Sequence, residues 1–144
     1  MLTNYRMTSF RHRFVDVIPE TLEAGVLYVS FRYGTVSHQC CCGCGREVVT
    51  PLTPTDWKLT FDGETISLYP SIGNWSFPCR SHYVIKNSRI EWAEDWSDED
   101  VQKAILKDRI LKDRYYGRVH EPVKFGPPKE ERFWSKLWKY LVRL

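Results

Sequence analysis

The sequence has no apolar run approaching the roughly 18–20 residues that span a bilayer. Residues 1–14 contain no apolar core segment and include three arginines, which argues against a cleaved signal peptide. The sequence also lacks a large excess of either charge, since 21 Lys+Arg are balanced by 18 Asp+Glu for a formal net charge of +3. So small a charge, evenly spread, argues against a nucleic-acid partner and favours a protein partner.

Cysteine is absent from most of the chain. Of five cysteines, all but Cys79 lie within residues 40–44. Adjacent cysteines rarely bridge each other, and a disulfide framework would be spread along the sequence. An odd, clustered set without a signal peptide is typical of a reducing compartment. We therefore expect a cytoplasmic protein whose thiols are metal ligands.

The cysteine cluster predicts a zinc site, because Zn²⁺ takes four N or S ligands in a tetrahedron. Residues i and i+2 of an extended segment share a face, so Cys41 points away from its neighbours and is left out. In one candidate ligand set, His82 replaces one of the first three thiolates. The other set is all-thiolate and has no open coordination position, so it would be structural. Its members are Cys40, Cys42, Cys44 and Cys79.

Short segments rich in β-branched and aromatic residues alternate with turn signals over residues 13–93. The Asp62-Gly63 pair predicts one hairpin and Asn87-Ser88 predicts another. The predicted strands cover residues 26–31, 47–50, 57–61, 65–69, 83–85 and 90–92. The sequence thus predicts a mainly β (α+β) fold, with a small antiparallel, zinc-stabilised β domain over residues 1–96.

Residues 97–144 predict a helical extension that is packed on this domain or tethered to it. Ser97 with three following acidic residues is typical of a helix start, and Gly117 of a stop, which predicts a helix at 98–116. A second helix is predicted at 130–144. Its apolar stripe would bury itself on the β domain, in a partner's groove or, less favoured, at a membrane surface. The stripe consists of Phe133, Trp134, Leu137, Trp138, Leu141 and Leu144.

A polar segment at residues 71–83 concentrates hydroxyls, an amide and a histidine beside the predicted ligand Cys79. By two-residue parity, Ser81 shares a face with Cys79, and His38 shares one with Cys40. A metal that gathers these cysteines would bring Ser81 and His38 near each other.

This segment predicts a serine-type catalytic site, which needs a histidine base within reach of the nucleophile and N–H donors for the oxyanion. Ser81 as nucleophile with His38 as base is the first candidate pair, and Ser71 with His82 is the second. Asn74 or nearby backbone N–H groups would hold the oxyanion. A purely structural interpretation competes, because Ser and Asn in loops usually bond to nearby backbone. The His-Glu-x-x-His, nucleophile-elbow and phosphate-loop motifs are all absent.

Four motifs within residues 13–96 together resemble a bacterial family, the BubE-like proteins. They are His38-x-Cys40-x-Cys42-Gly43-Cys44-Gly45, Val48-x-Thr50-Pro51, Ser71-x-Gly73-Asn74-Trp75 and Pro78-Cys79-x-Ser81-His82-Tyr83. The family is encoded beside ubiquitin-like proteins and their E1-like and E2-like enzymes. The resemblance implies a peptidase or isopeptidase that processes or removes a ubiquitin-like protein, with these proteins as partners.

Two other functions stay open. A non-catalytic zinc-binding adaptor would present a ubiquitin-like protein or a substrate to conjugating enzymes. A zinc hydrolase would use three protein ligands and a metal-bound water.

Overall fold

The structure is a computed structural model that describes residues 6–118. The helix predicted at 130–144 lies outside the described residues. The elements are β1 Arg11–Phe14, β2 Val26–Ser30, β3 Thr35–Gln39, β4 Glu47–Pro51, β5 Lys58–Phe61, β6 Ile66–Gly73, β7 His82–Lys86, β8 Arg89–Trp92 and α1 Asp98–Tyr115.

The eight strands form two four-stranded sheets, in the orders β1-β2-β3-β4 and β5-β6-β7-β8. The mainly β class is confirmed, and both predicted hairpins are present as β5-β6 and β7-β8. The prediction missed β1 and β3, and β1 pairs with β2 in parallel, whereas the other pairs are antiparallel. The short sequence of β1 is largely exposed, so it carries little of the alternation that reveals a strand.

The turn between β5 and β6 shows why the Asp-Gly signal is effective. The Asp62 carboxylate accepts hydrogen bonds from the backbone N–H groups of Glu64 (2.9 Å) and Thr65 (2.6 Å). These bonds, with a third from the Thr65 hydroxyl, lower the pKa of Asp62 to about 2. Gly63 has φ +98°, a conformation that costs glycine little. The turn therefore sets the register of β6.

The core lies between the two sheets, because one cluster of buried residues contains side chains from both. Leu27 and Val36 from the first sheet are 0% exposed, as are Ile66 and Tyr83 from the second. Two sheets joined face to face by such a layer form a sandwich. The arrangement places the β3–β4 turn beside the β6–β7 loop, where the predicted site residues lie.

Helix α1 begins as predicted. The Ser97 hydroxyl accepts a hydrogen bond from the Asp100 N–H at 3.1 Å, and three acidic residues occupy the first turn, where the helix dipole favours them. The chain divides into two compact units, Met1–Lys112 and Asp113–Leu144, with the boundary inside α1. In the described part of the second unit, Gly117 has φ +65° and follows the end of the helix. Among the described helices, none is long and apolar enough to cross a membrane.

Candidate functional site

Four cysteines from two loops meet at one end of the sandwich. The β3–β4 turn supplies three of them and the β6–β7 loop supplies the fourth, and their sulfur atoms all lie within 4.8 Å of one another. The group consists of Cys40, Cys42, Cys44 and Cys79. Cys40 Sγ lies 3.5 Å from Cys42 Sγ and 3.9 Å from Cys79 Sγ. A tetrahedral zinc with Zn–S bonds of about 2.3 Å has S···S edges of about 3.8 Å, so these sulfurs fit such an ion.

Cys41, which the sequence leaves out, and His82, the alternative ligand, both lie outside this group. Cys41 is fully buried in the main core and is not among the four close sulfurs. His82 uses both ring nitrogens elsewhere, at the Glu94 carbonyl and the Ser71 hydroxyl. The geometry therefore favours the all-thiolate set over one that contains His82.

The environment of the thiols suits a cation. Burial raises the pKa of Cys40 to about 11, which keeps this thiol neutral at physiological pH. Burial also opposes ionisation of Cys79, but hydrogen bonds from the Ser81 hydroxyl and backbone outweigh it and lower the pKa of Cys79 to about 7. A divalent cation would supply the charge that four neighbouring thiolates require.

Ser81 lies against this cysteine group. Its Oγ is 3.0 Å from Cys40 Sγ and 3.5 Å from Cys79 Sγ, and it accepts a hydrogen bond from Asn74 Nδ2 at 2.9 Å. The side chain is only 5% exposed. These contacts place the Ser81 hydroxyl where it would orient the thiolates if the cysteine group held a metal.

His38 is held away from Ser81. Its Nε2 lies 2.8 Å from the Tyr83 hydroxyl, and its Nδ1 is buried without a hydrogen-bond partner. Complete burial lowers the pKa of His38 to about 3. Neither ring nitrogen therefore contacts Ser81, and the Ser81–His38 pair is not formed. Tyr83 lies between His38 and Asn74, whose Nδ2 is 3.5 Å from the tyrosine hydroxyl.

The second predicted pair, Ser71 with His82, is hydrogen-bonded. His82 Nε2 lies 3.0 Å from Ser71 Oγ, and His82 Nδ1 lies 2.7 Å from the carbonyl oxygen of Glu94. A carbonyl oxygen only accepts, so Nδ1 carries the proton and Nε2 accepts the hydrogen bond from the Ser71 hydroxyl. The result is a line from hydroxyl to imidazole to an orienting acceptor, which is the arrangement of a serine nucleophile and its base.

Strand pairing explains why these groups meet. Gly73 is opposite His82 in the β6–β7 pair, and Ser71 lies two residues before Gly73 on the same face. The register of this pair shifts between Leu68 and Ile72, an irregularity of the kind that turns a side chain to a new direction. Beyond β8, the Ala93 N–H donates to the His82 carbonyl at 2.9 Å. This bond extends the pairing with β7 and brings the Glu94 carbonyl beside the imidazole of His82.

Two tryptophans cover the imidazole. The rings of Trp75 and Trp96 are stacked at 5.5 Å, and each centroid lies about as close to His82, at 5.0 and 5.1 Å. Arg80 lies over Trp75 at 5.4 Å and donates to the Trp96 carbonyl at 2.7 Å. Gly73 is required beneath Trp75, because a Cβ there would lie 2.4 Å from the indole nitrogen.

Ser71 and His82 open into a cleft of about 330 Å³, here called the Ser71 cleft. One side is built from β6, β7 and the loop before β5, and the other from residues 101–112 of α1. The lining residues are Thr55, Asp56, Trp57, Pro70, Ser71, Gly73, Trp75, His82, Trp96, Val101, Ala104, Ile105, Asp108 and Lys112. The volume is at the lower end of ligand-binding clefts.

Sequence reasoning missed three parts of this site: the indole pair, the Glu94 carbonyl and the wall from α1. A Gly followed two residues later by Trp gave a hint of close ring-over-backbone contact, but the carbonyl left no signal, since every residue has one. Asn74 lies near the site as expected, but its amide points to Ser81 and the cysteines and not to Ser71.

The chain matches the model of a known protein family. Residues 14–93, more than half of the chain, match the family described as bacterial ubiquitination-like system serine protease (BubE). Comparisons with curated proteins and with solved structures give no match. The matched range contains the four cysteines, Ser71 and His82 but ends before α1.

Proposed function

Because the chain belongs to the BubE family of bacterial ubiquitination-like system serine proteases, we propose that it is a serine peptidase with Ser71 as nucleophile and His82 as base. The hydrogen-bonded line from Ser71 through His82 to the Glu94 carbonyl supports this assignment. It is also the Ser–His pair that borders a cleft large enough for a peptide. Ser81 and His38 are both buried and lack this access.

The geometry accounts for the proton movements of peptide hydrolysis. Ser71 Oγ attacks the scissile carbonyl carbon while its proton passes to His82 Nε2. The imidazolium is stabilised by its Nδ1–H bond to the Glu94 carbonyl, and the C–N bond breaks as Nε2 returns the proton to the leaving amine. Water then attacks the acyl-enzyme, with His82 again accepting and returning a proton, so the free serine is restored.

The developing oxyanion needs an N–H donor. We assign this role to the indole N–H of Trp75, which lines the Ser71 cleft and lies over Gly73. Asn74 instead donates to Ser81, so it links the β6–β7 loop to the cysteine group.

The cysteine group would have a structural role. The four thiolates would occupy all four coordination positions of a tetrahedral Zn²⁺ and leave none for a water. The proposed reaction therefore does not pass through the metal. The ion would join the β3–β4 turn of one sheet to the β6–β7 loop of the other. Cys79 and Arg80 are neighbours, so this link also supports the arginine that holds the tryptophan pair.

We propose the C-terminal tail of a ubiquitin-like protein as the substrate, with the ubiquitin-like protein and its E1-like and E2-like enzymes as partners. The family description supports a substrate of this pathway. An exposed, extended tail is also a peptide that a shallow cleft beside a sheet can accept.

A substrate-independent test uses a fluorophosphonate probe, in which an activated serine oxygen displaces fluoride from phosphorus. We expect the adduct on the tryptic peptide that contains Ser71, and no labelling of Ser71→Ala or His82→Ala. Ser81→Ala and His38→Ala should keep at least part of the labelling, provided that circular dichroism and metal content are unchanged. An adduct on Ser81 would overturn the assignment.

The substrate is tested with a ubiquitin-like precursor that carries extra C-terminal residues. We expect cleavage by the wild type and a loss of at least about 10³-fold with Ser71→Ala. Cleavage that survives Ser71→Ala but stops with a chelator, in protein that stays folded, would favour the metal-water hydrolase. If the wild type is neither labelled nor able to cleave, the result would favour the non-catalytic zinc-binding adaptor.

A further inference from the structure

Helix α1 forms one wall of the Ser71 cleft, although the helix lies outside the residues that match the family. The match ends at residue 93, and α1 begins at Asp98. Val101, Ala104 and Ile105 lie on one face of the helix at spacings of three and four and line the cleft. Val101 is 5% exposed and anchors this face, whereas Ile105 is 54% exposed and borders the open side.

Both ends of this wall are fixed to the β domain. At the start of α1, Arg80 Nη1 donates to Asp98 at 3.1 Å, and its side chain also contacts Asp95. Fourteen residues further along, within the first unit, Lys112 Nζ bonds Asp56 of the β4–β5 loop at 2.7 Å. These contacts position the helix face beside Ser71 in the same cleft.

The chemistry of the wall is apolar. Trp57 faces the cleft from the β domain and the three helix side chains face it from α1. The charged groups in the lining pair with one another, since Lys112 lies 2.7 Å from Asp56 and 2.8 Å from Asp108. A peptide in the cleft therefore meets hydrophobic surface and, among the residues that the structure describes, no unpaired charge there.

We propose that this α1 wall is a specificity subsite for an aliphatic side chain, such as leucine, of a peptide whose scissile bond lies at Ser71. This inference rests on the proposed function, since the peptide is a substrate only where Ser71 is the nucleophile. The supporting observation is that the α1 wall and the Ser71–His82 pair line the same cleft. Burying one aliphatic side chain against such a surface typically changes recognition by about tenfold or more.

Binding is measured by fluorescence anisotropy with the full chain carrying Ser71→Ala, so that no cleavage occurs. The probes are fluorescein-labelled Gly/Ser peptides with a single leucine moved through each position, together with the leucine-free host peptide. We expect leucine at one position to tighten binding about tenfold. The inference is overturned when leucine gives no gain at any position.

Three variants test whether the tighter binding of leucine peptides, relative to the host peptide, depends on the α1 wall. Ile105→Gln should reduce it below about threefold, and Ala104→Leu should reduce it by filling the cleft. Ile110→Gln is the matched control, since Ile110 is similarly exposed at 46% and does not line the cleft. A gain that survives both cleft variants, or that Ile110→Gln removes equally, refutes the subsite. Circular dichroism shows that each variant remains folded.

The outcomes also separate the two proposals. A leucine preference that depends on Ile105, in a protein that neither cleaves nor reacts with the fluorophosphonate, supports the subsite and refutes the peptidase. Labelling at Ser71 with equal binding of leucine and host peptides supports the peptidase and refutes the subsite.

Discussion

Replacing Gly73 with alanine should displace the Trp75 ring from its place over β6. An added Cβ would lie 2.4 Å from the indole nitrogen and 2.5 Å from Cε2, so the ring must withdraw by about 1 Å to reach the roughly 3.5 Å of non-bonded contact. The ring is confined by Trp96, His82 and Arg80. Overpacking of this kind costs about 1–3 kcal/mol of unfolding free energy.

A double-mutant cycle with Trp75→Ala isolates this contact. Gly73 lies in a strand and has no unusual φ, so alanine there should be favourable by about 0.5–1 kcal/mol once the indole is gone. We therefore expect Gly73→Ala to change from destabilising to neutral or stabilising, with a coupling energy of at least about 1.5 kcal/mol. Urea unfolding of the four metal-loaded proteins, followed by circular dichroism, measures it.

The same substitution tests the proposed oxyanion donor. Moving the Trp75 N–H by about 1 Å should lower kcat by about 10²-fold, with a smaller change in KM. A neutral Gly73→Ala, or an equal cost with and without the indole, would refute the packing of Trp75 on Gly73. Unchanged kcat in a variant with the expected stability loss would refute the role of Trp75 in catalysis.

Cys40→Ala should lose bound metal whereas the equally buried Cys41→Ala keeps it, as measured by elemental analysis; metal retained by Cys40→Ala would contradict the ligand set. The Asp62 carboxyl should titrate at about pH 2 in carbon-detected NMR. Because this folded pKa lies below the ordinary 3.8, the turn is fully stabilised above about pH 3.8 and loses that stabilisation as pH falls through about 2; a midpoint near pH 4 would contradict the turn hydrogen bonds. Lys112→Ala should lower the unfolding free energy by about 1 kcal/mol and the exposed-pair control Lys103→Ala by less than about 0.5 kcal/mol; equal losses would contradict a stabilising contact of α1 with the β4–β5 loop.

Local signals in the sequence were sufficient for much of the fold. The Asp62-Gly63 turn and the alternation on either side of it specify a hairpin without help from distant residues, because all of its hydrogen bonds are local. The same holds for Ser97 and the acidic first turn of α1. Strand β1 depends on a parallel partner twelve or more residues away, and no local pattern reports such pairing.

Residue parity placed Ser81 on the correct face, but it could not show whether Ser81 meets His38. Ser81 does lie beside Cys40 and Cys79, as two-residue alternation predicts. Parity says which face a side chain occupies but not what lies between two residues on that face. In the structure His38 contacts the intervening Tyr83, so the serine and the histidine do not meet.

The sequence by itself determined the chemistry available: a cluster of thiols that suits a tetrahedral metal, two Ser–His candidates and a β scaffold to carry them. Only the tertiary structure decided that Ser71 is the serine bonded to a histidine and open to a cleft, because this depends on the register of β6 against β7 and on the path of the chain beyond β8. It also decided that α1 forms the second wall. Such outcomes rest on contacts between residues far apart in sequence, whose geometry is set by the packing of the whole sandwich.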